Sequence, residues 1–237
     1  MVVQYIEQIL LDKSNAHLAS LSKLETEALD RPLSDRAVFL EQTPQLRGMN
    51  TILHDAHTGP QDFIFYFDRL GALLIERALN NRNFVAAAVE TPYGHEYAGL
   101  RAKGEVSAVL LQRGGTALEK ALKRVIPDCK MSHILIESNI RTAEPELKFQ
   151  KMVKGLETHE TVLVLDAQMS SGGSALMAVQ VLVDFGVAQD RIVFATYSAG
   201  KMGLRRLTSV FPGITVVVCN LVEDVEERWV EVRYFRC

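Results

Sequence analysis

Residues 162–174 read Val-Leu-Val-Leu-Asp-Ala-Gln-Met-Ser-Ser-Gly-Gly-Ser: an apolar run, one acid, then a hydroxyl-glycine-glycine-hydroxyl turn ahead of a helical stretch. That order of residue types is what an anion cradle needs. Gly172 and Gly173 lack the side chains that would hold an anion away from the backbone amides. Ser170 opens the turn, Ser171 and Ser174 can donate hydroxyl hydrogen bonds, and the following helix adds positive potential at its amino end. Asp166 repels phosphate, but a carboxylate at the rim accepts hydrogen bonds from ribose hydroxyls. The combination points to a sugar phosphate. An ordinary strand-to-helix turn with Ser174 as N-cap accounts for the same composition. Neither GxxxxGK[ST] nor GxGxxG occurs, which excludes a nucleoside-triphosphate P-loop and disfavours a dinucleotide site.

The elements that must position this turn follow from periodicity. From Glu105 onward, short β-rich runs at 106–111, 134–137, 162–165, 192–196 and 214–219 alternate with helical stretches at 118–125, 175–185 and 202–211. Such alternation predicts βαβ units, a mainly parallel sheet with flanking helices, and chemistry at the carboxyl ends of the strands. Earlier in the chain, apolar spacing predicts one or two amphipathic helices over 5–29 and another from Phe63 to Leu79, with Pro32, Asp35 and Pro44 breaking the pattern between them. The expected organisation is a single domain over 1–237, with 1–80 a largely helical extension and 105–220 the α/β core.

With 48% hydrophobic and 23% charged residues, a chain of 237 residues builds a real core, which excludes general disorder. Lys and Arg number 26 against 29 Asp and Glu, so no global positive charge invites nucleic acid. No apolar run reaches membrane-spanning length, and a soluble intracellular protein, cytoplasmic or nuclear, is expected. Cys129, Cys219 and Cys237 are too scattered for a disulfide framework and read as two core thiols and one at the tail. The histidines (His17, His54, His57, His95, His133, His159) have no ligand spacing, and the acids Glu223, Asp224, Glu226 and Glu227 read as a solvated face, so no protein-held metal is expected.

The strand, Asp166 and the Ser-Ser-Gly-Gly-Ser turn resemble the phosphoribosyl pyrophosphate motif of the uracil phosphoribosyltransferases, and the likeness runs through most of the chain. Leu46-Arg47 with Thr51-Ile52-Leu53 resembles the family's amino-terminal segment. Val89-Glu90-Thr91-Pro92 with Gly94, Tyr97 and Gly99 resembles its hairpin, Arg113-Gly114-Gly115 its Arg-Ala-Gly loop, and 134–151 its strand and flexible arm. Asn139, Glu144-Pro145-Glu146-Leu147 and Ala175-Leu176-Met177-Ala178-Val179 are nearest to the phosphoribosyltransferase-like half of eukaryotic uridine kinases, with no kinase half expected here. The resemblance implies a phosphoribosyltransferase-type, Rossmann-like fold and transfer of phosphoribosyl from phosphoribosyl pyrophosphate to uracil, giving UMP and pyrophosphate. It implies magnesium entering as the phosphoribosyl pyrophosphate complex and a homodimer. It gives catalytic roles to Arg113 and Asp166, the diphosphate to Gly114 and Gly115, and closure over it to Arg141, Lys148 and Lys151.

The sequence departs from the family at its end. A glycine-rich uracil loop should lead into Arg-Tyr-Phe-Gly, but here Arg228-Trp229-Val230-Glu231-Val232 runs straight into Arg233-Tyr234-Phe235. Ser138 stands where Arg is usual, Ser171 replaces Thr, and Thr116 replaces an acid. The expectation is therefore binding of phosphoribosyl pyrophosphate or a nucleoside monophosphate with poor or no uracil turnover. The alternative is an inactive protein of this fold serving as a nucleotide-binding, regulatory or subunit-contact module.

Overall fold

A computed structural model describes residues 34–139, 144–223 and 228–236. The expected helices of 5–29, together with Arg141, Asp224, Glu226, Glu227 and Cys237, lie outside these residues.

Among the described residues, seven strands form one sheet in the order β1-β9-β8-β7-β4-β5-β6. They are β1 Ala37–Phe39, β4 Val106–Gln112, β5 Lys130–Ser138, β6 Pro145–Lys151, β7 Thr161–Met169, β8 Ile192–Gly200 and β9 Thr215–Val222. All neighbours are parallel except β5 and β6. Every residue of β7 and of β8 is buried, the pattern of strands covered on both faces. A separate antiparallel hairpin pairs β2 Phe84–Glu90 with β3 Glu96–Ala102.

The helices are α1 Pro44–His54, α2 Pro60–Leu79, α3 Glu119–Val125, α4 Gly173–Asp184, α5 Lys201–Val210 and α6 Trp229–Phe235. Pro44, read from sequence as a break, is instead the first residue of α1. Its fixed φ suits that position, and the Thr43 hydroxyl caps the helix by accepting from the Leu46 N–H at 3.2 Å. The apolar stripe of α2, Phe63, Phe67, Leu70, Leu74 and Ile75, is fully buried with Leu118 and Leu122 against Leu163, Leu165 and Ala195.

The five expected strands and three expected helices of the core are all present, but β5, β7, β8 and β9 run further than their apolar stretches. Asp166 pairs opposite Thr196 and Gln168 opposite Ser198, so the ladder continues past the point where hydrophobic residues give way to polar ones. Cys129 and Cys219 are buried free thiols, pushed up to about 11 and about 12 by burial, which makes both poor nucleophiles at neutral pH.

Candidate active site

β7 carries Asp166 into the middle of the sheet's carboxyl end, where the residue is 2% exposed. The backbone N–H groups of Gln168 and Ala167 donate to the carboxylate, while Oδ1 has no hydrogen-bond partner. Burial pushes the carboxyl up to about 6, against the pull of the Arg228 guanidinium. Beyond Met169 the chain turns through Gly172, whose φ of 83° is the left-handed region. A Cβ at Gly172 would stand 2.9 Å from the carbonyl oxygen of Gly203, and one at Gly203 would stand 2.2 Å from that of Ser170. Turn and α5 therefore meet backbone to backbone. Gly173 is different: a Cβ there meets nothing nearer than Pro145 at 3.7 Å.

Gly172 is the N-cap of α4 and supplies no side-chain cap, so Ser174 is not the capping residue that the plainer reading of this turn required. It stands in the first turn and lines the adjacent cleft. The first bond of this helix runs from Leu176 N–H to the Gly172 carbonyl at 2.8 Å. The amides of Gly173, Ser174 and Ala175 thus have no intrahelical carbonyl, and the amino end of a 12-residue helix gathers them for an anion.

Across the cleft, β4 ends at Gln112, and exposed Arg113 precedes a 3₁₀ turn, Gly114–Leu118. A Cβ at Gly115 would lie 2.1 Å from the Leu165 carbonyl oxygen, and one at Gly114 would lie 2.4 Å from Asp166 Oδ1. Both glycines are buried, and their lack of side chains lets this turn lie directly on β7. The cleft of about 420 Å³ is bordered by Arg113, Glu137, Ser138, Ser174, Arg228 and Glu231.

Helix α6 forms one wall of the cleft and is tied down from below. Arg233 donates to the carbonyls of Leu53 at 2.7 Å and Thr58 at 2.9 Å and lies over the Phe63 ring at 4.6 Å. Tyr234 donates to buried Asp68 at 2.8 Å, and the Val230 N–H donates to Gln168 Oε1 at 2.8 Å. Trp229 packs against His54, Phe63 and Tyr197 with ring centroids 5.1, 6.1 and 6.3 Å away.

The model of the uracil phosphoribosyltransferase family matches residues 40–233, which include the Asp166 strand, the cradle and α6 as far as Arg233. The chain belongs to the uracil phosphoribosyltransferase family. It is 33% identical over 194 residues to uracil phosphoribosyltransferase of Dictyostelium discoideum, covering 82% of this chain and 89% of that one. It is 34% identical over 228 residues to uridine-cytidine kinase-like 1 of Mus musculus, covering 96% of this chain but 41% of the mouse protein. The chain likewise spans about half the length of the yeast uridine kinases it matches. In structure it is similar to the AQ2163 protein of Aquifex aeolicus, with a TM-score of 0.70 and 20% identity over 84% of this chain and 97% of that one. Solved phosphoribosyltransferases share its central, mostly parallel sheet.

Within this family fold, Arg113, Gly114, Gly115, Asp166, Ser170, Ser171, Gly172, Gly173 and Ser174 all come to the carboxyl ends of β4 and β7. Arg141 lies outside the described residues. Lys148 is paired with Glu146 on its own strand, and this partner raises its pKa above the usual lysine value. Lys151 is exposed at the end of β6, on the sheet's edge. Arg228 at the amino end of α6, Glu231 within it and Glu137 at the end of β5 are charged cleft residues that sequence reasoning left without a role. For Arg228 and Glu231 the only signal was charge where the family has a glycine-rich loop.

Proposed function

We propose that this uracil phosphoribosyltransferase relative binds phosphoribosyl pyrophosphate or a nucleoside 5′-monophosphate between β4 and α4, and turns uracil over slowly or not at all. The single observation that carries the reading is the uncapped amino end of α4, with open Gly173 and Ser174, facing Arg113 across one cleft. The amides of this end and the hydroxyls of Ser171 and Ser174 would hold the 5′-phosphate. Asp166 would accept from ribose hydroxyls, and Arg113 would meet the diphosphate. In the transfer, the bond from C1′ to the diphosphate oxygen breaks with its electron pair leaving on pyrophosphate. The N1–C1′ bond forms as uracil N1 gives its proton to solvent. Magnesium enters as part of the phosphoribosyl pyrophosphate substrate, spreading the charge of the leaving group.

Slow turnover is supported by the helical course of Trp229–Phe235, which provides no extended glycine backbone to align a pyrimidine edge. Where the family's backbone alignment of the ring toward C1′ is missing, part of the ~7–11 kcal/mol that positioning can supply is forfeited, whatever side chains hold the ring's far edge. The same observation favours a second reading, a binding or regulatory module without catalysis. Calorimetry with phosphoribosyl pyrophosphate and magnesium, run beside an assay of uracil-dependent pyrophosphate release, tests both. Binding with release far below ordinary enzyme rates supports the first statement, binding with none fits both and favours the second, release at ordinary enzyme rates overturns slow turnover, and no binding overturns both.

A homodimer is proposed with it. Hairpin β2–β3 bares Val85, Val89 and Tyr97 on one face and Phe84 and Leu100 on the other, all 45–73% exposed, and an isolated two-stranded hairpin is marginal in water. A second copy is the occupant that a symmetric enzyme family makes available. Among the described residues, no helix is long and apolar enough to cross a membrane.

A further inference from the structure

We propose that Arg228 and Glu231 form the base-reading edge of this site in place of the family's glycine-rich loop, and that they select a ligand bearing a lactam edge, a carbonyl beside a ring N–H. The inference rests on the reading above that the cleft takes a nucleotide-like ligand.

Glu231 lies three residues after Arg228, which stands at the amino end of α6, so the two project from one side of its first turn. Both border the cleft that holds Arg113, Ser138 and Ser174, and both border the recess above Asp166. Arg228 is exposed and Glu231 half-buried, and among the described residues neither closes an ion pair with another side chain. Their hydrogen-bonding capacity is therefore open to a ligand. A guanidinium only donates and an ionised carboxylate only accepts. Side by side they complement a group that accepts at one atom and donates at the next, and bonds to charged partners are the stronger kind.

A phosphate is the competing occupant and fits worse. Glu231 and Glu137 line the cleft and Asp166 the recess beside it, which sets carboxylates around the pair, whereas the first turn of α4 itself contains no acid. A pair of zero net charge suits a neutral ring. Its placement is rigid as well, because Trp229, Arg233 and Tyr234 fix the helix from the opposite side.

Calorimetry on the full chain with three probes tests this: ribose 5-phosphate, uridine 5′-monophosphate, and 3-methyluridine 5′-monophosphate, in which the ring N–H is blocked. Wild type should bind uridine 5′-monophosphate about tenfold or more tighter than either other probe, the order expected for one or two hydrogen bonds to charged groups. Arg228→Ala and Glu231→Ala should each lower uridine 5′-monophosphate affinity about tenfold and leave ribose 5-phosphate within about twofold. Glu231→Ala should also cease to distinguish the methylated nucleotide. If ribose 5-phosphate affinity falls in parallel, the pair serves the phosphate and the inference is overturned. It is also overturned if the variants bind all three probes as wild type does. If wild type binds none of the three, the functional reading itself fails, and this inference with it.

Discussion

Asp166 and the glycine pair after it show how site chemistry and stability pull on single residues. The folded protein holds the Asp166 proton with a pKa of about 6, above the ordinary 3.8, because burial disfavours the charged form. Between about pH 4 and 6 the folded state thus binds more protons than the unfolded chain, so stability falls as pH rises through that window and stays lowered above it. Asp166→Asn should raise stability at pH 7.5 by up to ~3 kcal/mol and lose the advantage near pH 4, while weakening sugar-phosphate binding. Urea melts of both proteins at the two pH values measure it, and an unchanged midpoint at pH 7.5 would contradict it. The neighbouring glycines should behave oppositely to each other. Gly172→Ala forces a Cβ against Gly203 at positive φ and should cost ~1–3 kcal/mol. Gly173→Val has room, so it should cost under ~1 kcal/mol and yet abolish phosphate-ligand binding by filling the space beside the α4 amides. Thermal shift and calorimetry on the two variants separate the roles; equal destabilisation would show that the turn tolerates neither.

At the scale of the element, α6 is a seven-residue helix that could not persist alone. Its order comes from its anchors, above all Arg233, whose two donated hydrogen bonds satisfy a carbonyl in the last turn of α1 and one just before α2. Arg233→Ala should cost ~2–3 kcal/mol and release α6 while the parallel sheet persists. Trp229 is the sole tryptophan, so its emission reports this directly. A red shift with unchanged far-ultraviolet circular dichroism is expected, and an unshifted spectrum would mean that the aromatic cluster alone suffices.

For the molecule as a whole, the homodimer predicts that sedimentation at micromolar concentration gives twice the chain mass and that Val85→Asp with Leu100→Asp gives the monomer without loss of secondary structure. A wild-type monomer would leave the hairpin's apolar faces without their proposed occupant. The sheet itself was legible in sequence, because runs such as 162–165 and 192–195 are continuously apolar, as strands buried on both faces must be. Strand ends were not legible: Asp166 and Gln168 look like loop residues until the Thr196 and Ser198 ladder is known. Nor was α1, since Pro44 breaks one helix and starts another with the same φ. The cradle could be named from Gly172-Gly173 and its serines. The wall opposite it could not, because Arg228 and Glu231 reach the cleft only through contacts such as Arg233 to Leu53, 180 residues apart in the chain.

The order of the strands also sets a timetable for synthesis. Among the described residues β1 pairs only with β9, and Gln42 just after it donates to the Cys219 carbonyl across 177 residues of chain. While the ribosome is at work, the earliest described strand has no described partner until the last one emerges, and the apolar face of α1 and α2 waits on the strands beneath it. Pairing at such separation is slow, and an unfinished sheet exposes a sticky edge. A nascent chain halted before Thr215 should therefore remain a chaperone client, with β4, β5 and β7 able to assemble and the amino-terminal edge still open.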